Sequence, residues 1–230
     1  MKLVIDDIYS HEGTQELVRA CTKVLWTRGT NRTTSWFGHC VLQTAEDLVM
    51  FADLFHQERP DFVIECGTFE GGGLAFYASI LELLGHGQIL GIDVNAPPDL
   101  SNVPGSKRIS FLQGSSVSPE ILEQVARRAA GKSVLVILDS DHSKKHVMEE
   151  LEAYSKLIAP GGYLVVMDGI MTILADTPSG DPRWAGDNPE FAVVEFLNIH
   201  PEFQRDMFYN RLWITHAPGG FLRRVSCTSP

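Results

Sequence analysis

The chain has 230 residues with 19 Lys and Arg against 29 Asp and Glu, a formal net charge of −10 and a pI near 5.2. This acidic balance argues against nucleic acid or an anionic membrane as a partner. No apolar run approaches the ~20 residues of a membrane span, and the N-terminus lacks the features of a signal peptide, so we expect a cytoplasmic protein. The four cysteines, Cys21, Cys40, Cys66 and Cys227, have no CxxC or zinc-like spacing and are expected to be reduced thiols.

The length suits one large α/β domain with an added N-terminal segment. We expect residues 1–60 to form an N-terminal helical arm or cap, and residues 61–230 to form the main domain. Four residues recur at helical spacing and predict a first helix that ends near Gly29: Leu17, Val18, Cys21 and Leu25. Residues 31–43 are rich in Thr, Trp and Gly, which favours either a segment over a ligand cleft or a structural arm or subunit contact around Trp36 and Phe37.

A second helix is predicted between Thr44 and Pro60. Thr44 and Asp47 match a capping box, in which the Thr oxygen accepts from a free helix amide and the Asp side chain reaches back to the cap. From residue 61 onward, strand and helix patterns alternate regularly. This predicts a Rossmann-like, mostly parallel sheet with helices on both faces, closed by an antiparallel hairpin.

The predicted strands of this sheet are residues 62–66, 88–92, 108–113, 133–138 and 163–167, with the closing pair near 203–209 and 221–225. The predicted helices are residues 72–84, 120–130 and 189–199, and one after His142 that turns Val147, Leu151, Tyr154 and Ile158 inward and ends before Pro160. Residues 169–189 hold Pro, Gly and Asp without periodicity, and a loop this long is typical of a lid or a binding loop.

Ligands of open parallel sheets bind beyond the carboxyl ends of the strands, so the residues that follow each strand share one crevice. Here those residues are Glu65, Gly67, Asp93, Ser115, Ser116, Asp139, Asp141, His142 and Asp168. Carboxylates at the ends of four strands repel one another unless a cationic or hydroxyl-rich group lies between them. The pattern therefore implies a ligand.

Two cofactors compete for the glycine-rich turn after the first strand of the sheet. A nicotinamide dinucleotide prefers GxGxxG, but Phe69 stands where the second glycine would be. Glu65, two residues before Gly67, also suits a cationic ligand better than a pyrophosphate.

The pattern from Glu65 to Gly71 resembles the first motif of class I S-adenosylmethionine-dependent methyltransferases. The resemblance implies that Glu65 and Gly67 approach the methionyl part of the cofactor, that Asp93 holds the ribose hydroxyls, and that Ser115 lies beside the adenine. Thr68, Gly71, Ser116 and Asp139 are predicted as further cofactor-binding residues.

Longer segments of the sequence resemble one particular family of these methyltransferases. The segments RPDFVIECGTFEGGG, VILDSDHSKKHV and APGGYLVVMDG, with Trp36, Gly38 and Gln43 before them, are similar to the cephalosporin hydroxylase family and the related macrolide and sugar O-methyltransferases. Sugar-methylating members hold a divalent metal, usually Mg²⁺, with carboxylates after the fourth and fifth strands of the sheet, beside a histidine base. The candidate ligands are Asp139 or Asp141 together with Asp168. Met167 stands where the family pattern has Glu, and a thioether is a poor Mg²⁺ ligand.

The resulting prediction is an S-adenosylmethionine-dependent O-methyltransferase that acts on a hydroxyl of a sugar or polyketide-like natural product. His142 is the predicted base, Asp139 a second catalytic residue, and Mg²⁺ a possible cofactor. Trp36, Trp184 and residues 169–189 are assigned to the substrate side. The expected partners are a small-molecule acceptor and further copies of the chain in a homo-oligomer. Two alternatives stay open: a nicotinamide-dependent oxidoreductase, and a cofactor-binding helper protein that transfers no methyl group.

Overall fold

The computed structural model describes residues 12–96 and 98–225. Predictions that concern residues 1–11, Pro97 and Cys227 lie outside this part of the chain. Within it, Cys21, Cys40 and Cys66 are free thiols.

A seven-stranded sheet forms the centre of the molecule, with the strand order β5-β4-β3-β6-β7-β9-β8. Neighbours from β5 to β7 are parallel, whereas β9 is antiparallel to both β7 and β8. The predicted mostly parallel sheet with a closing antiparallel pair is confirmed. The strands of this sheet are β3 (Phe62–Cys66), β4 (Gln88–Asp93), β5 (Ile109–Gln113), β6 (Val134–Leu138), β7 (Tyr163–Val166), β8 (Phe203–Arg205) and β9 (Phe221–Arg224), and a separate two-stranded ribbon is formed by β1 (Ser35–Trp36) and β2 (His39–Cys40).

The α-helices of the described part are α1 (Glu12–Thr27), α2 (Ala45–Glu58), α3 (Gly72–Leu84), α4 (Pro119–Ala129), α5 (Lys144–Tyr154), α6 (Met171–Leu174) and α7 (Pro189–Ile199). Helices α2 and α3 cover one face of the sheet, and helices α4, α5 and α7 cover the other. Every residue of β3 and β6 is buried as a result. Their nearly unbroken apolar sequences follow from this double cover.

Helix α2 belongs to the main core. Phe51 and Phe55 are fully buried and contact the ring of Tyr77 at centroid distances of 5.0 and 5.4 Å, and Phe51 also contacts Phe221. The expected boundary at residue 60 therefore does not separate two hydrophobic cores.

The predicted apolar face of α1 is wrong. Leu17 is 70% exposed and Cys21 is exposed, whereas Thr22 is buried and Trp26 is partly buried. Apolar residues occur on more than one side of this helix, so their spacing does not identify the buried side. The indole of Trp26 packs edge-on against two other rings and places α1 beside the functional crevice described below.

The predicted cap of α2 is confirmed. The amide of Asp47 donates to Oγ1 of Thr44 at 3.0 Å, and the Thr44 hydroxyl donates to Oδ2 of Asp47 at 2.9 Å, so the Asp side chain reaches back to the cap residue. The Asp47 carboxylate is buried and also accepts from the Thr215 hydroxyl at 2.5 Å and from the His216 amide at 2.8 Å. These long-range partners have no signal in the local sequence.

Among the described residues, none of the helices is both long enough and apolar enough to cross a membrane.

Candidate active site

A cavity of about 520 Å³ lies at the carboxyl ends of the parallel strands, a size typical of small-molecule sites. It gathers these predicted residues from five strand ends: Glu65, Gly67, Thr68, Asp93, Ser115, Ser116, Asp139, Asp141, His142 and Asp168. Gly71 is absent from its lining and instead begins α3, with a φ of 80°. Gly71 turns the chain into the helix, and its predicted cofactor contact stays a prediction.

Gly67 lets the turn after β3 pass directly against the end of β6. Its φ is 84°, and a Cβ atom there would lie 2.1 Å from the backbone oxygen of Asp139. Only glycine fits both the left-handed conformation and this approach. The next positive φ, 46°, belongs to Phe69, whose side chain is 61% exposed.

Glu65 is a buried carboxylate with an unsatisfied oxygen. The residue is 2% exposed, and its Oε2 atom has no hydrogen-bond partner among the described residues. A Cβ at Gly73 would lie 2.1 Å from Oε1, so the absence of a side chain at Gly73 makes room for this carboxylate. Burial raises the pKa of Glu65 well above its usual range, and Asp139 and Asp93 raise it further. A cationic ligand in the crevice would satisfy Oε2, so the site fits a sulfonium cofactor that carries an ammonium group.

Asp93 fixes the glycine-rich turn. Its Oδ2 accepts from the amides of Thr68 at 2.8 Å and Phe69 at 3.2 Å, while Oδ1 accepts from the amide and the side chain of Asn95. Burial opposes the charge, but these hydrogen bonds outweigh it and lower the pKa of Asp93. The carboxylate is therefore ionised and held at the edge of the cavity.

Ser116 points into a buried polar network. Its hydroxyl donates to Oε1 of Glu150 at 2.5 Å and lies 3.2 Å from Nε2 of His146. Glu150, which is fully buried, also accepts from Ser140 at 2.7 Å. This network joins the turn after β5 to helix α5, and it commits the hydroxyl of Ser116, unlike that of Ser115, to a protein partner.

Asp139, His142 and Asp168 form a centre of three neighbouring titratable side chains in the cavity. One ligand atom from each residue lies within 4.8 Å of the others, so the three could hold a metal ion. Nε2 of His142 is 3.0 Å from Oδ2 of Asp168 and 3.9 Å from Oδ1 of Asp139. Asp168 has a φ of 59°, a conformation that non-glycine residues adopt rarely and that is concentrated at functional sites.

The two carboxylates of this centre repel each other, and His142 lies between them. Burial alone would lower the pKa of His142, but Asp168, Asp139 and Asp141 together raise it to about 9. Burial and the charge of Asp168 raise the pKa of Asp139 well above its usual range. The charge and hydrogen bond of His142 outweigh burial and lower the pKa of Asp168. A cation between the two carboxylates would relieve this repulsion.

Asp141 lies apart from this centre, which corrects its candidacy as a metal ligand. Its Oδ1 accepts from the amide of Ser143 at 2.8 Å and from the Ser143 hydroxyl at 2.5 Å, and the residue is exposed. Of the two alternatives considered from sequence, the geometry leaves Asp139 as the ligand candidate.

The donor set fits a divalent cation but offers few oxygen ligands. Asp139 and Asp168 supply carboxylate oxygens, and Met167, 1% exposed, lines the same cavity with a thioether. Mg²⁺ prefers six oxygen ligands and keeps several waters, so two carboxylates and a hydroxylated acceptor can still complete its shell. Met167 contributes nothing to that shell.

His216 is a site residue that sequence reasoning missed. It is 5% exposed, lines the cavity, and places Nδ1 3.7 Å from Oδ1 of Asp168. Asp47 holds the adjoining backbone through the hydrogen bonds given above. His216 lies in an aperiodic stretch of the sequence, and only the fold brings it to strand β7.

The two predicted covering segments have different roles. Cys40 to Gln43 line the cavity, so the segment 31–43 does cover the cleft. Trp36, however, donates from Nε1 to Ser79 at 3.1 Å and packs on Phe76, so it stabilises the segment rather than lining the cavity. Trp184, from residues 169–189, contacts Trp26 of α1 at a centroid distance of 6.2 Å.

The fold and the crevice define a class I S-adenosylmethionine-dependent methyltransferase. The family described as "Rhamnosyl O-methyltransferase/CmcI" matches residues 28–225. Rhamnosyl O-methyltransferase of Mycobacterium leprae (strain TN) is 34% identical over 201 residues, with 84% of this chain and 83% of that protein covered. The protein of the same name from Mycobacterium tuberculosis (strain ATCC 25618 / H37Rv) is 30% identical over 214 residues, with 87% and 80% covered. The chain belongs to the rhamnosyl O-methyltransferase/CmcI family, which confirms the enzyme class and the resemblance seen in the sequence.

Solved structures agree in fold. A structure of CmcI with Mg and S-adenosylmethionine superposes with a TM-score of 0.63 at 22% identity, covering 85% of this chain and 78% of that one. MycE methyltransferase from the mycinamycin biosynthetic pathway, with Mg and S-adenosylhomocysteine, gives 0.51 at 22% identity, covering 79% and 49%.

Proposed function

We propose that this protein transfers the methyl group of S-adenosylmethionine to a hydroxyl of a sugar or of a sugar-bearing natural product. The observation that carries the proposal is the meeting of two features in one cavity: the unsatisfied oxygen of Glu65 beside the glycine-rich turn, and the Asp139, His142 and Asp168 centre. The first suits a cationic methyl donor, and the second suits activation of a hydroxyl. The relatives named rhamnosyl O-methyltransferase support the sugar class.

On the donor side, Glu65 would pair with the methionyl ammonium group, and the Asp93 carboxylate would accept hydrogen bonds from the ribose hydroxyls. Thr68 and Ser115 would contact the rest of the cofactor from the two turns that line the cavity. S-adenosylmethionine supplies an already activated methyl group, so alignment of the acceptor oxygen with that carbon is the main task of the protein.

On the acceptor side, His142 would take the proton of the attacking hydroxyl at Nδ1, because its Nε2 is hydrogen-bonded to Asp168. Asp168, at 3.0 Å, orients the imidazole, but together with Asp139 it also keeps the ring protonated at neutral pH. The base role therefore requires compensation of the carboxylate charge. A divalent cation held by Asp139 and Asp168, Mg²⁺ by analogy with the CmcI and MycE structures, would supply this charge and acidify the hydroxyl.

The proposal is tested by incubating the protein with trideuteromethyl S-adenosylmethionine, a divalent cation and a panel of glycosides that includes methyl α-L-rhamnopyranoside and macrolide glycosides. We expect mass spectrometry to show one labelled methyl group on an acceptor oxygen. Transfer to a nitrogen or carbon acceptor, or equal labelling with an Asp168→Asn variant, would contradict it.

A second candidate function rests on Met167. A chain with Met167 where the family pattern has Glu could have retained the cofactor site and lost methyl transfer, acting as a cofactor-binding helper of another enzyme. Saturable binding of S-adenosylhomocysteine, without bound metal at Asp139 and Asp168 in a soaked crystal and without transfer to any acceptor, would favour this function. The chain belongs to an O-methyltransferase family, and no observation supports a nicotinamide-dependent reaction to a similar degree.

Two further expectations stay predictions. A homo-oligomer is testable by light scattering coupled to size exclusion, and a cytoplasmic location by fractionation of the source cells.

A further inference from the structure

Two histidines approach the Asp168 carboxylate, one at each oxygen. Nε2 of His142 is 3.0 Å from Oδ2, and Nδ1 of His216 is 3.7 Å from Oδ1. All three residues line the active-site cavity. The second distance is longer than a hydrogen bond, so His216 acts on Asp168 by close packing and by its ring dipole or charge. Because each oxygen has its own imidazole neighbour, rotation of the carboxylate is restricted from both sides.

The backbone of Asp168 also needs support from its surroundings. Its φ of 59° is a conformation that costs free energy in a non-glycine residue and persists only where neighbouring contacts hold it. The segment before β9 supplies these contacts: the His216 carbonyl accepts from the amide of Ile170 at 3.3 Å, and the Gly220 carbonyl accepts from that of Val166 at 2.9 Å. His216 therefore meets both the side chain of Asp168 and the backbone of the turn that follows it.

His216 is itself held on its other sides. Its amide donates to Oδ2 of Asp47 at 2.8 Å, and its ring packs edge-on against Trp26 at a centroid distance of 6.0 Å. The residue is 5% exposed. With the bond to Ile170, both backbone groups of His216 are committed and its ring is enclosed, so its position depends on these partners.

Asp47 is a buried carboxylate that does not line the active-site cavity formed by the described residues. Besides the His216 amide, it accepts from the hydroxyls of Thr215 at 2.5 Å and Thr44 at 2.9 Å. The Thr215 hydroxyl in turn accepts from the amide of Ala217 at 2.9 Å. Burial of a charge is costly unless its hydrogen-bonding capacity is used, and here most of that capacity is directed at residues 215–217.

We propose that Asp47 and His216 are positioning residues for methyl transfer. Asp47 fixes residues 215–217, and His216 holds Asp168 so that Oδ2 stays directed at Nε2 of His142. The inference rests on the proposed function and extends the machinery of that reaction to the first turn of helix α2. On this basis Asp47 serves the active site as well as the helix cap.

Crystal structures of ligand-free variants test the positioning directly. His216→Leu removes Nδ1, whereas the side-chain amide of His216→Asn can place a nitrogen near the same point. In His216→Leu and Asp47→Ala we expect the Asp168 Oδ2 to His142 Nε2 distance to exceed about 3.5 Å, the limit of a hydrogen bond. In His216→Asn it should stay near the wild-type 3.0 Å. Thr215→Val, which removes one bond to Asp47, is the second variant if Asp47→Ala does not fold.

Turnover supplies the second measurement, with trideuteromethyl S-adenosylmethionine and the glycoside that the wild type labels. His216→Leu and Asp47→Ala should lower kcat by ~10-fold or more, because misplacement of a catalytic group by about 1 Å has an effect of this size or larger. The KM for S-adenosylmethionine should stay within twofold of wild type, and His216→Asn should recover most of the lost kcat. Thr44→Ala is the matched control: it removes the cap oxygen of α2, so Tm should fall while kcat is unchanged.

Two results would overturn the positioning role. One is an unchanged contact between Asp168 and His142 in His216→Leu, and the other is a kcat of Asp47→Ala equal to that of Thr44→Ala. Failure of the proposed function looks different, because the wild type then labels no acceptor. The crystal structures still decide in that case whether His216 and Asp47 hold Asp168 against His142.

Discussion

His142 lies between two carboxylates, with Nε2 3.0 Å from Asp168 Oδ2 and 3.9 Å from Asp139 Oδ1. The shorter contact orients the ring. The same geometry supports the proposed roles of His142 as the base and of the two carboxylates as a site for positive charge.

The first prediction concerns His142. His142→Gln removes a proton acceptor and should lower kcat by ~10²-fold or more, because general base catalysis typically contributes that much. The Kd for S-adenosylhomocysteine, measured by calorimetry, should be unchanged. His146→Gln is the control, since His146 bonds to the buried Ser116 and Glu150 network; turnover of His142→Gln equal to that of this control would show that His142 is not the base.

The second prediction concerns Glu65. Its buried, unsatisfied carboxylate lowers the stability of the ligand-free protein but is available to bind the cofactor. Glu65→Gln keeps the volume and removes the unpaired charge, so the ligand-free Tm should rise by a few degrees, about 2–4 °C per kcal/mol for a chain of this size. Affinity for S-adenosylhomocysteine should fall by ~10-fold or more, because a charge-assisted hydrogen bond is lost. Glu70→Gln, at an exposed position of the same turn, should change neither quantity. Unchanged cofactor affinity in Glu65→Gln would contradict this assignment.

The third prediction concerns Met167. Met167→Glu should raise Mg²⁺ affinity by ~10-fold or more in a calorimetric titration, because it adds a carboxylate oxygen to the two of Asp139 and Asp168. The buried new charge should lower the metal-free Tm, and saturating Mg²⁺ should restore it. Met167→Leu keeps the shape without the oxygen and should behave as wild type. Wild-type protein that binds Mg²⁺ as tightly as Met167→Glu would show that the third oxygen is not needed.

The fourth prediction is a pH dependence away from the site. His200 places Nε2 2.9 Å from Glu152 and Nδ1 3.2 Å from Glu202. Burial alone would lower the pKa of His200, but these two partners outweigh it and raise the pKa above 6.5. Because the folded pKa is raised, the stabilisation is fully present below pH 6.5 and is lost as pH rises through the folded value.

Urea unfolding at pH 6 and pH 8.5 measures this effect. After allowance for solvent screening of partly exposed partners, the wild type should lose roughly 0.5–1 kcal/mol more than His200→Gln between the two conditions. His56→Gln, at an exposed position, should retain the wild-type difference. An equal pH response in wild type and His200→Gln would refute the linkage.

Much of this architecture can be predicted from the sequence, because each strand, turn and helix is formed by residues that are adjacent in the chain. Strand β3 and helix α3 have the predicted bounds, since an apolar run, a glycine turn and a helical repeat adjoin one another. The same rule places Asp139, His142 and Asp168 together, because parallel strands present their carboxyl ends at one edge.

Contacts between distant segments are not readable in this way. Asp47 bonds to the cap residue Thr44, as the local sequence predicts, but it also accepts from Thr215 and His216, about 170 residues away in the chain. His216 reaches the site from the segment before β9, and its position carries no periodic pattern. Asp139 and Asp141 both follow the same strand, so the sequence alone does not show which of them is the candidate metal ligand. The structure shows that Asp141 is hydrogen-bonded to Ser143 in a turn.

The central claim is that the crevice around Glu65 and the turn after β3 binds an S-adenosyl sulfonium cofactor. Isothermal titration of the wild-type chain with S-adenosylhomocysteine and, separately, with NAD tests it most directly. We predict one saturable site per chain for S-adenosylhomocysteine, weakened by Glu65→Gln, and no heat of binding for NAD. Binding of NAD, or no binding of S-adenosylhomocysteine, would contradict the claim.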